Sequence, residues 1–159
     1  MIRLISIGLI GLFVIIPVAH ADEPFDQTHC WSSTTTMLSA SEELTVLSYE
    51  LTGITRSNLE TKAFDNTATN CVGVVRVMAG IPSVTGYCKY MAPDGDFVVG
   101  EFKSDPSGTK TDWKFLQGTG KWKGIQGTGQ GVRITSAKPI KSGTSQGCNK
   151  ETGTYKLPE

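Results

Sequence analysis

Few residues in this chain have the type and spacing to do chemistry. The four cysteines, Cys30, Cys71, Cys88 and Cys148, stand far apart, and the two histidines are His20 and His29. A zinc site wants close pairs such as C-x-x-C, none of which occurs, and His29-Cys30 is a lone adjacent pair. Serine and threonine abound, as in SSTTT at 32 to 36, yet no G-x-S-x-G elbow is present. Residues 115 to 131, FLQGTGKWKGIQGTGQG, hold six of the eighteen glycines, with QGTG repeated nine residues apart. A phosphate cradle fails there, because Trp122 follows Gly120-Lys121 and Phe115 occupies the first glycine position. Gly118, Gly120 and Gly124 give GxGxxxG, one residue too long for a dinucleotide fingerprint. No cofactor and no metal is expected.

The ends restrict the setting. Residues 1 to 21 carry Arg3, an apolar run from Leu4 to Ile16, Pro17 and the small-x-small site Ala19-His20-Ala21, the pattern of a signal peptide cleaved after Ala21. The run is shorter than the roughly 20 residues a spanning helix needs. An exported protein, periplasmic or secreted, follows as the expectation, with residues 22–159 forming one domain. The formal charge, zero for the whole chain, falls to −1 once Arg3 is removed, which is no field for nucleic acid. His29 is then the one histidine left, and beside Cys30 near the new terminus it reads as a solvated flank rather than a base. An oxidising compartment favours two disulfides among the four cysteines.

The elements that must position these groups are strands. After the leader DEPFDQTH, short β-branched or aromatic runs alternate with turn-rich breaks over Trp31 to Met37, Leu44 to Gly53, Cys71 to Met78, Thr85 to Met91, Asp96 to Lys103, Asp112 to Gln117, Trp122 to Ser136 and Gly147 to Leu157. The polar stretch TGITRSNLETKAFDNTATN between the second and third reads as a long surface loop, and SAKPIKSGTSQG before the last reads likewise. The expected fold is all-β, a single antiparallel eight-stranded barrel, with a β-sandwich as the alternative. A hairpin centred between Ala79 and Gly80 sets Cys71 opposite Cys88. A Cys30–Cys148 bridge would clasp the first strand to the last, as closure requires.

Turns then assign faces. Asp94-Gly95 reads as the central pair of a two-residue type I′ turn. With both hairpins fixed, one face collects Cys71, Gly73, Val75, Val77, Cys88, Tyr90, Ala92, Phe97, Val99 and Glu101, and the other Val72, Val74, Arg76, Met78, Tyr87, Lys89, Met91, Val98 and Phe102. The first is the more apolar and is expected inside. Glu101 becomes a buried carboxylate, a candidate acid or base that a structural partner or a one-residue slip of register would neutralise as a candidate. The apolar residues of the other face ask for cover by a second copy of the chain or by the long loops.

Glycine inside strands permits bulges, coiling and the close approach of an aromatic ring. The first GTG is expected to turn the hairpin and the second to bulge the next strand. The run WKFLQGTGKWKGIQGTGQG, Trp113 to Gly131, resembles the glycine-rich hairpin of the allene oxide cyclase and dirigent families. That resemblance implies an eight-stranded barrel with an apolar lumen and common trimerisation, and transfers no functional residue. Three functions compete. One is a non-enzymatic exported barrel that binds a small apolar or amphipathic molecule, with Tyr90, Phe97 and Val99 as walls and Glu101 as polar anchor. The second is a cyclase or isomerase that uses Glu101 in the same lumen. The third is a structural subunit whose lumen is filled by its own side chains. A homo-oligomer, dimer or trimer, accompanies each.

Overall fold

The structure, a computed structural model, describes residues 22–158; the signal-peptide reading on 1 to 21 lies outside them. Eight antiparallel strands close into a barrel in chain order. They are β1 Glu23–Ala40, β2 Leu44–Ser57, β3 Ala68–Met78, β4 Ile81–Met91, β5 Phe97–Ser104, β6 Lys110–Gly118, β7 Gln126–Ala137 and β8 Thr144–Lys156, with a 3-10 turn at Gly120–Trp122 before β7. The barrel is the expected fold, and the sandwich alternative does not hold. Closure rests on β1 pairing with both β2 and β8, and no strand is left with a bare edge.

Both expected disulfides are present. Cys30–Cys148 joins β1 to β8 across a sequence separation of 118, and Cys71–Cys88 joins β3 to β4 across 17. Cys71 and Cys88 face inward and are buried, whereas the Cys30–Cys148 clasp is only partly buried. The β3–β4 hairpin is centred between Ala79 and Gly80 as expected and proves to be a two-residue connection, with both residues at positive φ and Met78 opposite Ile81.

The β4–β5 turn differs by one residue. Ala92 N–H donates to the Asp96 carbonyl, Gly95 N–H donates to the Ala92 carbonyl, and Gly95 lies at φ 91°. Pro93 explains the change: its ring fixes φ near −65°, which suits the first central position of a type I turn, and Gly95 then takes the left-handed position of a three-residue loop. Tyr90 is therefore opposite Val98, and Tyr87 opposite Glu101. A slip of one inverts a whole strand. Val98, Gly100, Phe102 and Ser104 point inward, while Phe97, Val99 and Glu101 point out with Lys89, whose ammonium stands 4.2 Å over the Phe97 ring. The faces expected for β3 and β4 hold.

Three further segments differ from expectation. The leader DEPFDQTH belongs mostly to β1, paired with β8 from Glu23 onward. The β2–β3 connection is shorter than the stretch read as loop, and Ala63, Phe64 and Thr67 within it are buried. The second GTG keeps regular pairing with β8; the register shift in β7 comes later, between Arg133 and Thr135. At Gly129 an aromatic ring approaches instead: a Cβ there would stand 2.6 Å from Phe25 Cζ.

Candidate functional site

The barrel interior has three levels. One end is sealed by a cluster of Phe25, Ala63, Phe64, Val98, Trp122 and Ile125, with Phe115, Tyr155 and Leu157 packed on it. Phe64, from the β2–β3 connection, stacks on Trp122 at 4.7 Å and on Phe115 at 5.5 Å, and meets Phe25 and Tyr155 edge-on. Its backbone is left-handed at φ 56°, a conformation a bulky residue adopts only where its surroundings impose it. Here the Thr55 hydroxyl donates to the Phe64 carbonyl, and the Thr55 and Asn66 amides bond across the loop.

Above this plug lies a buried polar network. His29 and Glu151 are each 2% exposed. Glu151 Oε1 is 3.0 Å from His29 Nδ1, Gln27 Nε2 donates to Glu151 Oε2 at 2.7 Å, and Thr69 Oγ1 is 2.8 Å from His29 Nε2. A carboxylate only accepts, so Nδ1 carries the proton toward Glu151; on a neutral ring Nε2 then accepts from the Thr69 hydroxyl. Tyr90 packs beside His29 at 6.0 Å, and its phenol is pushed well above the usual range, by burial first and then by the Glu151 carboxylate. Hydroxyl, imidazole and carboxylate in series form a proton path, though Thr69 itself is buried.

The remaining half of the lumen is open. A cavity of about 280 Å³ is lined from one side by Tyr49, Leu51, Val75, Val84, Phe102 and the Cys71–Cys88 disulfide, all on β2 to β5. From the other side, on β6 to β8 and β1, come His29, Trp31, Ser33, Thr35, Thr111, Trp113, Arg133, Ser145 and Asn149. The first wall is mostly apolar, with the Tyr49 phenol and the Ser104 hydroxyl of β5 as its polar groups, and the second is polar. Three groups on the polar wall are buried without a hydrogen-bond partner: Trp31 Nε1, Trp113 Nε1 and Asn149 Oδ1. Arg133, opposite Asn149 in the β7–β8 register, holds its guanidinium 5.3 Å from the Trp31 ring. Burial raises the phenol of Tyr49, which stays a neutral hydrogen-bond donor.

Of the residues read as a site from sequence, Tyr90 faces the lumen, beneath the cavity. Phe97, Val99 and Glu101 do not line the lumen at all. Glu101 has a side chain 43% exposed, lies 3.9 Å from Lys114 Nζ, and borders a groove on the outer surface with Val72 and Tyr87. A buried carboxylate exists, and it is Glu151. His29, read as a solvated flank, is among the most buried side chains. A signal for both was present: pairing Cys30 with Cys148 fixes an antiparallel register that sets His29 opposite Asn149 and Gln27 opposite Glu151, on the face turned away from the bridge.

No protein-family model matches the chain, and no curated protein matches it. Solved structures similar to the chain include two dirigent proteins. The pterocarpan synthase dirigent protein GePTS1 superposes with a TM-score of 0.53 at 8% identity, covering 93% of this chain and all of that one. The pterocarpan synthase dirigent protein PsPTS1 gives 0.50 at 10% identity, covering 88% of this chain and all of that one. At this identity the likeness is one of fold. It runs over nearly the whole chain, well beyond the hairpin from Trp113 to Gly131.

Proposed function

We propose that this chain is an exported barrel whose open half holds a small amphipathic molecule. The observation that carries the reading is the two-sided cavity, with an apolar wall on β2 to β5 facing a polar wall that contains unpaired buried donors and an unpaired acceptor. Buried polar groups without partners are rare in a wall that only packs against itself. The cavity is at the small end for a ligand site, which suits a compact molecule. Two disulfides suit export into an oxidising compartment. The dirigent-like fold supports a role in holding or orienting a ligand, as an analogy of architecture.

A second reading, catalysis in the lumen, rests on His29, which lines the cavity and is backed by Glu151 and Thr69. There the imidazole would move a proton to or from a bound molecule that displaces the Thr69 hydroxyl from Nε2. His29→Gln separates the readings, since it would abolish turnover while leaving most of the cavity wall in place. On the outer surface, exposed Val72, Val74 and Tyr87 of β3 and β4 support a homo-oligomer, dimer or trimer, through that face.

Native mass spectrometry of the mature protein, purified without reductant, tests the main reading. A small mass carried by the folded barrel, or stabilisation by a small amphipathic compound after stripping, is the expected result. A protein that flies bare and is stabilised by no such compound contradicts it, and favours a structural barrel.

A further inference from the structure

The polar wall is selective in charge. Among the described residues that line the cavity there is no aspartate or glutamate, and Arg133 is the permanent cation. Arg133 occupies an inward register position on β7 at the open end, and makes no ion pair with any described residue. Its guanidinium lies 5.3 Å from the Trp31 ring, at the solvent-exposed mouth of the cavity. The indole N–H groups of Trp31 and Trp113 are donors with no acceptor. An arginine fork and unpaired N–H donors on one wall match an oxyanion, and a planar carboxylate matches them best. The opposite wall offers hydrocarbon, sulfur and ring faces apart from the Tyr49 phenol and the Ser104 hydroxyl, which is already bonded to Thr111.

Resting on the ligand-binding reading above, we infer that the molecule held in the open half is an organic carboxylate with a compact apolar body. Its body lies against Leu51, Val75, Val84 and Phe102, and its carboxylate is taken by Arg133 with the indole N–H of Trp31. The Asn149 oxygen, which like the indole nitrogens touches no open space, takes a hydroxyl or a water brought in with the anion once its side chain turns. Neither indole nitrogen touches open space, so a ring must turn to reach the ligand, and the Trp31 environment changes on binding.

Isothermal titration with 2-naphthoate and its neutral isostere 2-naphthamide tests the inference. The mature protein is expected to bind the acid roughly tenfold or more tightly than the amide, the size of effect that a charge-assisted hydrogen bond gives. Arg133→Gln, a change at an exposed side chain that leaves the fold alone, is expected to erase that difference while leaving amide binding in place. Trp31→Phe, which keeps a ring but removes the donor, is expected to weaken the acid more than the amide. Equal binding of both compounds, unchanged in Arg133→Gln, overturns the inference and spares the cavity as a site. Preference for the acid that survives Arg133→Gln overturns the assignment to Arg133. Binding of neither compound overturns the inference, and copurification of a neutral molecule in the mass spectrometer would then show that the ligand-binding reading itself survives.

Discussion

Along β1 the inward positions begin with Phe25 and Gln27 and end with Trp31, Ser33 and Thr35, and that one strand contains the contrast between the two ends of the lumen. At the closed end, rings from β1, β6, β8, the β2–β3 connection and the 3-10 turn stack on one another and leave no room. At the open end, small hydroxyl residues bonded to one another line a wall with two indoles whose N–H donors find no partner within the protein. Between them the His29–Glu151 network forms a hydrogen-bonded floor. The same pleat thus builds a core in one half and a receptacle in the other. What differs is whether each inward side chain can satisfy itself inside the fold.

That contrast can be broken at either end. The largest loss of stability is expected for Phe64→Ala, which empties the centre of the plug and costs about 3–5 kcal/mol in urea unfolding. The cavity is expected to remain competent for ligand, since none of its lining comes from the plug. A cost under about 1 kcal/mol would mean that the closed end is not the core. Glu151→Gln leaves His29 Nδ1 or Gln27 Nε2 facing a donor, and is expected to cost about 1–3 kcal/mol; a circular-dichroism melt reads the shift. Gly129→Ala drives a methyl toward the Phe25 ring and the Thr152 carbonyl, each 2.6 Å from the new Cβ. Overpacking of this kind costs about 1–3 kcal/mol, and an unchanged unfolding midpoint would contradict the close approach. Trp31→Phe at the open end is expected to cost less than about 1 kcal/mol in stability while lowering affinity for the ligand, the reverse of the plug substitution. Glu101→Gln is expected to change stability by no more than about 0.5 kcal/mol and binding not at all. A lost ligand there would return Glu101 to the site.

The closed barrel, both disulfides and the faces of β3 and β4 were legible, because Cys71 and Cys88 sit symmetrically about Ala79-Gly80 and because Cys30 and Cys148 flank the first and last strands. The face of β5 was misread for a local reason: Pro93 makes the turn one residue longer than Asp94-Gly95 alone suggests, and one residue inverts Phe97 to Phe102. His29 and Glu151 escaped because the inward side of β1 alternates polar and aromatic residues, so hydrophobic periodicity is silent there. The disulfide register contained that information and outweighs periodicity wherever the lumen is polar. Phe64 was hidden in a polar stretch because a single aromatic residue carries no period; only the aromatic cluster around it shows that it fills the barrel end.

The three tryptophans report on the two ends at once, with Trp31 and Trp113 on the cavity wall and Trp122 in the plug. Indole N–H resonances in a nitrogen-15 correlation spectrum, followed during titration with 2-naphthoate, therefore test the central claim most directly. With the ligand in the open half, the Trp31 and Trp113 resonances are expected to shift together and saturate while Trp122 stays fixed. Movement of Trp122 alone, or of none of the three at concentrations where calorimetry detects binding, would place the ligand elsewhere and contradict the account.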